Sequence, residues 1–471
     1  MSLPEDFITS TRQLMGDPLY ERLMAGLASD PSVSVRLNPF KGGLAISDIS
    51  VGHTPVPWCA EGAYLDCRPN FTSDPLLHAG AYYVQDASSM FVCHVLRQLV
   101  DRPVLMLDLC AAPGGKSTAA RAVLPQGSML FANEPMRQRA NVLDENLQKF
   151  GHPDVVVTNS FPREYRKSRM TFDVVLADVP CSGEGMFRKD EGAVADWSRR
   201  KVEECASLQR DIVSDVWHCL CPGGLLIYST CTFNADENER NAMWIAENLG
   251  GDFVSIPIED EWGITGAMVG EQPCYRFLPG LTRGEGLFMT VIRKHGEASS
   301  KPRKGRDKGA ERKKARTALA CSGLTDNDAY TVMEHEGRVF AVRKEWADSV
   351  TAALRTLNVM TAGVTLGTRR GKDLVPAEAL ALSAQIDKAV YHWAEVSRDD
   401  ALRYLRREAL TLGADVPTGY VGVCHRGLPL GFVKNMGCRS NNLYPAEWRI
   451  RSSHVAEQKF SLVDEARGAL C

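Results

Sequence analysis

Long apolar runs are missing from this chain of 471 residues. No stretch approaches the roughly 18 consecutive apolar residues of a membrane span, so we expect no membrane partner. The first residues, MSLPEDFITS, are acidic and lack the apolar centre of a secretory signal, which predicts a cytoplasmic protein. Its 14 cysteines are then expected to be reduced thiols, most of them packed in the core. CxxC and paired His/Cys spacings are also missing, so we expect no metal site.

Two common phosphate-binding loops are absent as well. The segment LMLDLCAAPGGKSTAA (105–120) runs from a predicted strand through a glycine-rich turn into a helix that starts near Lys116. Such a turn points backbone N–H groups at a ligand with an anionic end. Gly115, Lys116 and Ser117 fit the P-loop pattern, but Cys110 occupies the place of its first glycine, and the dinucleotide fingerprint does not occur. A nucleoside that bears a carboxylate remains, as in S-adenosyl-L-methionine.

An acidic residue at the end of the next predicted strand supports this ligand. Glu134, in FANEP, lies twenty residues beyond Gly114. At about this interval a carboxylate binds the two ribose hydroxyls of a nucleoside. Gly114-Gly115 alone would indicate only the turn that starts a helix, so the prediction depends on the two features together.

Charge is distributed unevenly along the chain. Residues 1–292 carry 25 Lys and Arg against 37 Asp and Glu, whereas residues 293–471 carry 30 against 21, which together give the net charge of −3. A basic C-terminal third suits a polyphosphate partner, although a solvated tail without a partner has the same composition. Residues 293–316 hold eleven Lys or Arg against three acids, which predicts a disordered linker.

Strands and helices alternate in the middle of the chain. Short apolar runs predict strands at 104–109, 128–132, 154–157, 172–177 and 225–228. Helical periodicity predicts helices at about 86–100, 117–124, 137–150, 201–220 and 236–248. This order argues for an α/β fold with a mostly parallel, doubly wound sheet. Near the C-terminus, residues 419–437 contain two β-like runs typical of a small barrel or meander.

Two cysteines follow predicted strand ends. Cys181 lies in LADVPCSGEGMFRKD and Cys231 in YSTCTFNADENE, both just past the carboxyl edge of a strand, where a doubly wound sheet keeps its site. Two thiols in one crevice are compatible with a redox disulfide, a metal pair or a catalytic pair. Asp178, at the end of the first of these strands, either faces the crevice or caps the following turn. The residues alone leave these alternatives open.

The order and spacing of these segments resemble the Nop/Sun family of RNA cytosine-5 methyltransferases. The resemblance rests on LDLCAAPGGKS, DVPCSGEGMFRKD, YSTCTFNADENE and QDASSM, and it is strong over about residues 70–295. It extends to GCRSNNLYP (437–445), which is similar to the C-terminal module of bacterial ribosomal RNA methyltransferases of the RsmF type; Arg439, Asn442 and Tyr444 match there. The resemblance implies a Rossmann-like class I methyltransferase sheet, an N-terminal α+β extension and a small C-terminal PUA-like β-rich domain.

The resemblance, taken with the composition, divides the chain into four parts. They are an N-terminal RNA-binding extension (1–75), an S-adenosylmethionine-dependent methyltransferase domain (76–294), a basic linker (295–319), and an α+β module ending in a PUA-like RNA-binding barrel (320–471). The implied partner is RNA, with 16S ribosomal RNA expected first, either naked or within a small-subunit particle. A transfer RNA methyltransferase, a non-catalytic RNA-binding assembly factor and a nicotinamide-dependent oxidoreductase are the alternatives.

Cytosine chemistry explains why such a family needs these residue types. Carbon 5 is a poor nucleophile until a thiolate adds to carbon 6 and breaks the conjugation of the ring. A carboxyl group then neutralises the charge that develops at nitrogen 3 and orients the exocyclic amine. The resemblance implies that Cys231 is the nucleophile, that Cys181 assists release of the product, and that Asp178 contacts the cytosine and approaches the cofactor.

The resemblance also implies a cofactor site for S-adenosyl-L-methionine. Its residues are Cys110, Ala111, Ala112, Pro113, Gly114, Gly115, Lys116, Glu134 and Asp178. The chain departs from the family at one point, because Asn159, Ser160 and Phe161 stand where the family often has an acid that contacts the adenine. An Asn or Ser side chain is still able to hydrogen-bond the adenine edge, so the adenine contact stays unassigned.

Overall fold

The computed structural model describes residues 3–297, 323–371, 373–451 and 460–464. Most of the predicted basic linker, from residue 298 onward, lies outside these ranges. Within them, no helix is both long enough and apolar enough to cross a membrane. The twelve cysteines of the same ranges are all free thiols.

The N-terminal part combines helices with a four-stranded antiparallel sheet. The helices are α1 (Glu5–Met15), α2 (Asp17–Ala28) and α3 (Pro75–His78), and the strands are β1 (Val33–Leu37), β2 (His53–Val56), β3 (Cys59–Leu65) and β4 (Tyr82–Val84). Their order is β2-β3-β1-β4, so β4, which follows residue 75, completes this sheet. Asp74 starts α3 by accepting a hydrogen bond from the Leu76 N–H, as an N-cap does.

The central part is a sheet flanked by helices. Its helices are α4 (Phe91–Leu99), α5 (Gly115–Val123), α6 (Arg137–Phe150), α7 (Pro162–Ser168), α8 (Glu191–Asp196), α9 (Arg199–Trp217) and α10 (Glu239–Leu249). Its strands are β5 (Leu105–Asp108), β6 (Met129–Asn133), β7 (Val155–Thr158), β8 (Phe172–Asp178), β9 (Leu220–Thr230), β10 (Gly251–Phe253), β11 (Tyr275–Phe277) and β12 (Leu287–Lys294). The strands β9-β8-β5-β6-β7 run parallel, which confirms the predicted α/β sheet.

Burial on both faces explains the composition of these strands. Every residue of β5, β6 and β7 is buried, because helices cover both sides of a parallel sheet and two apolar clusters form there. The last parallel strand differs from its prediction. It begins at Leu220 rather than Leu225, since Leu220 pairs with Phe172 before a register shift. Three strands beyond the prediction, β10, β11 and β12, then extend this edge in antiparallel fashion.

The C-terminal part contains two further four-stranded sheets. Its helices are α11 (Ala347–Thr356), α12 (Glu378–Ala381) and α13 (Arg398–Leu405). Its strands are β13 (Tyr330–His335), β14 (Arg338–Arg343), β15 (Val359–Ala362), β16 (Val364–Arg370), β17 (Asp373–Pro376), β18 (His392–Glu395), β19 (Gly419–His425), β20 (Leu428–Asn435) and β21 (Ser440–Asn442). Strands β19 and β20 are the two runs predicted over 419–437, joined at Arg426-Gly427.

One strand of the C-terminal part belongs to the central sheet. Strand β15 pairs antiparallel with β7, next to an ion pair in which Arg343 Nε lies 2.8 Å from Asp154 Oδ1. Another apolar cluster joins residues of the N-terminal sheet to residues of α13 and β19. The three parts therefore share cores, and the outer parts hold fixed positions relative to the central sheet.

Candidate active site

The glycine-rich turn lies between β5 and α5, as its sequence predicts. Gly114 has φ +110°, a left-handed conformation that favours glycine, and it precedes the first residue of α5. Ser117 donates a 2.6 Å hydrogen bond to Asp108 Oδ2, which ties the helix back to the strand end. The other oxygen of Asp108, Oδ1, is buried and has no hydrogen-bond partner among the described residues. Burial raises the pKa of Asp108 to about 7.

Glu134 follows the adjacent strand β6 and is 1% exposed. Its Oε1 accepts a 2.9 Å hydrogen bond from the Met136 N–H. Its Oε2 accepts no hydrogen bond in the described residues and lies 3.3 Å from Nη1 of the mostly exposed Arg139. This carboxylate thus retains acceptor capacity at the edge of the sheet, which suits a pair of ribose hydroxyls.

The residues in place of an adenine-contacting acid have other tasks. The Asn159 amide donates to the backbone carbonyls of Glu134 and Pro135 at 2.8 and 2.9 Å, so it fixes the turn that carries Glu134. Ser160 is buried, and its hydroxyl accepts a hydrogen bond from the backbone of the C-terminal part. Phe161, by contrast, is 51% exposed. The side chain of Asn159 therefore supports the site indirectly, by positioning Glu134.

Asp178 and Lys116 form an ion pair at the carboxyl end of β8. Lys116 Nζ lies 2.8 Å from Asp178 Oδ2, and the Ser229 hydroxyl donates to Asp178 Oδ1 at 2.7 Å. Burial opposes the charge of Lys116, but attraction to Asp178 and the hydrogen bond between them outweigh it and raise the lysine pKa. Lys116 is therefore a cation fixed beside the Asp178 carboxylate. Both oxygens of that carboxylate are positioned by hydrogen bonds, one from Lys116 and one from Ser229. The sequence reading placed Lys116 with the cofactor and did not identify this pair.

The two motif cysteines meet. Cys181 Sγ and Cys231 Sγ are 3.2 Å apart, although fifty residues separate them in the chain. This is well beyond the roughly 2.05 Å of a disulfide bond, so the pair consists of two thiols in contact. The pKa of Cys181 is raised well above its ordinary value, first by its hydrogen bond to Cys231 and then by burial. Cys181 thus keeps its proton while its sulfur lies in contact with the sulfur of Cys231.

A buried glutamate that the sequence reading missed fixes the loop after Cys231. Glu184, only 1% exposed, accepts hydrogen bonds through Oε2 from Thr232 Oγ1, Phe233 N and Asn234 N at 2.6, 2.6 and 2.9 Å. Its Oε1 accepts from Trp197 Nε1 and Asn234 Nδ2, both at 3.0 Å. One carboxylate therefore collects five donors and holds the whole turn.

The next residue brings the two cysteine segments into contact. Gly185 N donates to the Cys231 carbonyl at 2.8 Å. A Cβ at Gly185 would lie 2.8 Å from that same oxygen, so only glycine fits. The SGEG part of the motif could have identified Glu184 and Gly185 from the sequence. A carboxylate between two glycines suits a buried turn.

These elements surround a cavity of about 340 Å³. Its lining includes Asp108, Cys110 to Pro113, Gly115, Lys116, Asp178 and Cys231. The cavity therefore brings together most of the residues that the sequence assigned to catalysis and cofactor binding. Gly114, Cys181 and Glu134 do not line it; Cys181 lies behind Cys231, and Glu134 lies beside the cavity at the end of β6. Burial raises the pKa of the Cys110 thiol, which keeps that residue protonated and unreactive.

The opposite wall contains charged residues that the sequence reading did not select. Glu285 forms a two-pronged ion pair with the buried Arg188 and lies 2.8 Å from Lys189 Nζ. Asp86, from the QDASSM segment, accepts a 2.9 Å hydrogen bond from the Glu285 N–H. Asp86, Lys189 and Glu285 all line the cavity.

The donors and acceptors of this cavity fit S-adenosylmethionine. The turn before α5 offers backbone N–H groups for a carboxylate, and Asp108 offers an acceptor for a cation. Glu134 offers acceptor capacity for a ribose. In the described residues no three His, Cys, Asp or Glu side chains converge as metal ligands.

Comparison with family models identifies three matching segments. Residues 98–293 match the model described as 16S rRNA methyltransferase RsmB/F. Residues 3–87 match the N-terminal domain of 16S rRNA methyltransferase RsmF, and residues 393–450 match the methyltransferase RsmF PUA domain. The N-terminal, methyltransferase and PUA matches therefore follow one another along this single chain.

Curated relatives match over nearly the full length. Ribosomal RNA small subunit methyltransferase F of Enterobacter sp. (strain 638) is 28% identical, over 94% of this chain and 95% of the relative. The protein of the same name from Citrobacter koseri is 29% identical, over 94% and 96%. The similarity thus includes the C-terminal part as well as the central sheet.

Solved structures share the fold of part of this chain. A methyltransferase homolog protein from Pyrococcus horikoshii has a TM-score of 0.53 and 25% identity, covering 62% of this chain and 95% of that one. The structure of NSun6 from Pyrococcus horikoshii with SFG has a TM-score of 0.54 and 18% identity, covering 62% and 99%. At these scores the structures support a methyltransferase sheet of the same architecture.

Proposed function

Because this chain belongs to the RsmB/F family of 16S rRNA methyltransferases, we propose that it methylates carbon 5 of a cytidine in 16S ribosomal RNA. S-adenosylmethionine, when bound, supplies the methyl group as an electrophilic sulfonium. The observation that carries the proposal is the convergence of Cys231, Asp178 and Lys116 on the cavity beside the glycine-rich turn. Such a constellation offers a nucleophile, an orienting carboxylate and a fixed cation to one pyrimidine.

The first step is addition of Cys231 to the base. Its sulfur loses a proton to solvent and bonds to carbon 6. The electron pair of the 5,6 double bond then forms a double bond between carbons 4 and 5, which leaves negative charge on nitrogen 3. Lys116, held 2.8 Å from Asp178, stabilises the negative charge that reaches nitrogen 3 and oxygen 2. Asp178 accepts a hydrogen bond from the exocyclic amine, which distinguishes cytosine from uracil. Carbon 5 is then nucleophilic and takes the methyl group.

The second step releases the product. Carbon 5 loses its proton to solvent, the electron pair restores the double bond, and the sulfur of Cys231 departs from carbon 6. Cys181 acts on this departure, because its protonated thiol lies 3.2 Å from the leaving sulfur and donates a hydrogen bond to it. The two thiols therefore have unequal tasks, attack for Cys231 and release for Cys181.

The RNA partner is a small-subunit ribosomal RNA in this proposal. The relatives named ribosomal RNA small subunit methyltransferase F match this chain over 95% and 96% of their own length. Residues 393–450 match the PUA domain of methyltransferase RsmF. The basic C-terminal third supplies phosphate contacts that position the RNA, and the cavity selects one extruded base. Assembly of the small subunit then places the reaction in the cytoplasm, on naked RNA or on a particle.

Cysteine variants with labelled RNA test the proposed chemistry. We expect Cys231→Ala to abolish methyl transfer without an adduct, and Cys181→Ala to accumulate a covalent RNA–protein adduct on denaturing gels. Cys205→Ala, a partly buried cysteine on α9, serves as the matched control and should retain activity. Equal, adduct-free loss in both motif variants would contradict the division of tasks.

Bisulfite sequencing of total RNA tests the substrate. Cells that lack the protein should lose one 5-methylcytidine from 16S ribosomal RNA, and the wild-type gene should restore it while the Cys231→Ala gene should not. Loss of a methylated position in transfer RNA would favour the transfer RNA enzyme. An unchanged methylation pattern, with normal RNA binding, would favour the non-catalytic assembly factor.

A further inference from the structure

A second cavity lies next to the reaction cavity, between the N-terminal sheet and helix α6. Its volume is about 220 Å³. Strands β1 and β4 form one wall, and the C-terminal half of α6 forms the other. Tyr83 and Val84 line both cavities, so they form the partition between them. The second cavity thus adjoins the reaction cavity on the side of the glycine-rich turn, where the Tyr83 hydroxyl donates to the Pro113 carbonyl, and nothing in the chemistry described above uses it.

A buried arginine that lines this cavity has one guanidinium nitrogen without a partner among the described residues. Arg36, on β1, is 1% exposed and lines the cavity. Its Nε donates to Gln85 Oε1 at 2.9 Å and its Nη2 to Thr118 Oγ1 at 2.6 Å. Its Nη1 has no partner among the described residues. A buried N–H without a partner costs free energy, so a ligand that accepts a hydrogen bond here recovers that cost.

The rest of the lining is mostly apolar and aromatic. Leu77, Tyr82, Tyr83, Val84 and Phe150 supply most of it. Asn38, Asn146 and Lys149 also line the cavity, but their side-chain nitrogens donate to the carbonyls of Gly80, Phe150 and Pro113 and to the carboxylate of Glu145. A phosphate group would need several converging unpaired donors, whereas Arg36 Nη1 is the buried nitrogen of this lining that has no partner among the described residues. A planar ring with a carbonyl or ring-nitrogen acceptor suits both the aromatic walls and the single free guanidinium nitrogen. The volume falls below the roughly 300–1,000 Å³ of a drug-sized ligand site, so the occupant is no larger than one base.

We propose that this second cavity binds a nucleobase of the RNA strand that neighbours the target cytidine. Arg36 Nη1 donates to the edge of that base, and the aromatic wall packs on its face. Because Tyr83 and Val84 separate the two cavities, the bound base lies within a short stretch of strand from the reacting one. This subsite rests on the proposed RNA substrate, and it selects and anchors the strand without contributing to the chemical step.

Filling the cavity tests the subsite. Leu77, on the short helix α3, is partly buried and lines the second cavity but not the first. We expect Leu77→Trp to weaken binding of a fluorescent oligoribonucleotide carrying a single cytidine by about tenfold, the weight of one stacked base. The KM for RNA should rise by the same factor while kcat and the calorimetric affinity for S-adenosylmethionine stay unchanged. Leu208→Trp, at an exposed leucine on α9, is the matched control.

Abasic RNA identifies the bound base and completes the test. We test oligonucleotides that carry one abasic position next to the cytidine. At one such position the affinity for the wild type should fall about tenfold, whereas the affinity for Leu77→Trp should not change at that position. Unchanged RNA affinity in folded Leu77→Trp, or a parallel loss of S-adenosylmethionine binding, would overturn the proposal. Leu77→Phe, a smaller filling, replaces the tryptophan variant if melting shows that variant to be unfolded. Because the binding arm needs no turnover, its result stands apart from a failure of methylation.

Discussion

Replacement of Glu184 by glutamine perturbs the loop after Cys231 while keeping its shape. The carboxylate accepts three hydrogen bonds at Oε2 and two at Oε1. A glutamine amide places an NH₂ group at one of these two ends, so at least two donors of the loop lose their acceptor. Two lost hydrogen bonds to a buried charged group correspond to about 3–6 kcal/mol. That is a large part of the roughly 5–15 kcal/mol that holds a typical domain folded.

The same change should slow catalysis. The Cys231 carbonyl is tied to Gly185, the neighbour of Glu184, so relaxation of the turn moves the nucleophile. A displacement of about 1 Å costs on the order of a hundredfold in rate. We therefore expect Glu184→Gln to lower kcat by about 10- to 100-fold while the affinity for S-adenosylmethionine stays within about twofold, because the glycine-rich turn does not depend on Glu184.

Urea unfolding and single-turnover methylation measure these two effects. Glu191→Gln, at an exposed glutamate on α8, is the control and should change neither quantity. The reasoning is refuted if Glu184→Gln unfolds within about 0.5 kcal/mol of the wild type and methylates at the wild-type rate. In that case the five hydrogen bonds would contribute little to the position of Cys231.

Two further predictions follow from buried charges. Asp108 has its pKa raised to about 7 by burial, so the folded protein holds a proton that the unfolded chain releases above about pH 4, and folding stability from this group falls as pH rises toward 7. The ionised form of Asp108 favours a cationic ligand, so calorimetry should show the affinity for S-adenosylmethionine rising about tenfold from pH 6 to 8. Asp108→Asn should flatten this rise. A wild-type affinity that does not depend on pH would count against the prediction. Arg343→Met should destabilise the contact of the C-terminal part with the central sheet by about 2–4 kcal/mol, because it leaves the buried Asp154 carboxylate without its closest cation. Limited proteolysis should cut Arg343→Met faster than its control Lys344→Met, and urea should unfold it at a lower concentration. Equal resistance of the two variants to protease and to urea would contradict the prediction.

Local patterns were sufficient to predict the parallel strands of the central sheet and the glycine-rich turn that lines its cavity. An apolar run such as Val155–Thr158 has one stable environment, a parallel strand covered on both faces, and the glycine turn at Gly114 has one conformation that starts a helix. Two of the edge strands, β10 and β11, were missed because they are only three residues long and have no periodicity to detect. The eight-residue β12 was missed although its first six residues are buried. The strand start at Leu220 was missed because Pro222-Gly223-Gly224 reads as a turn, whereas pairing with Phe172 extends the strand through it.

By itself the sequence determined which residue types stand at the ends of the parallel strands, because a glycine-rich turn, a carboxylate and the two cysteines each follow a short apolar run. Only the tertiary structure decided how they cooperate. The 3.2 Å contact of Cys181 with Cys231, the pair of Lys116 with Asp178, and the joining of β15 to β7 link residues between 50 and more than 200 positions apart. Nothing local in the chain encodes such distances, since they arise from strand order and packing. Arg36 Nη1 is of the same kind, because its lack of a partner among the described residues becomes visible only when its neighbours are in place.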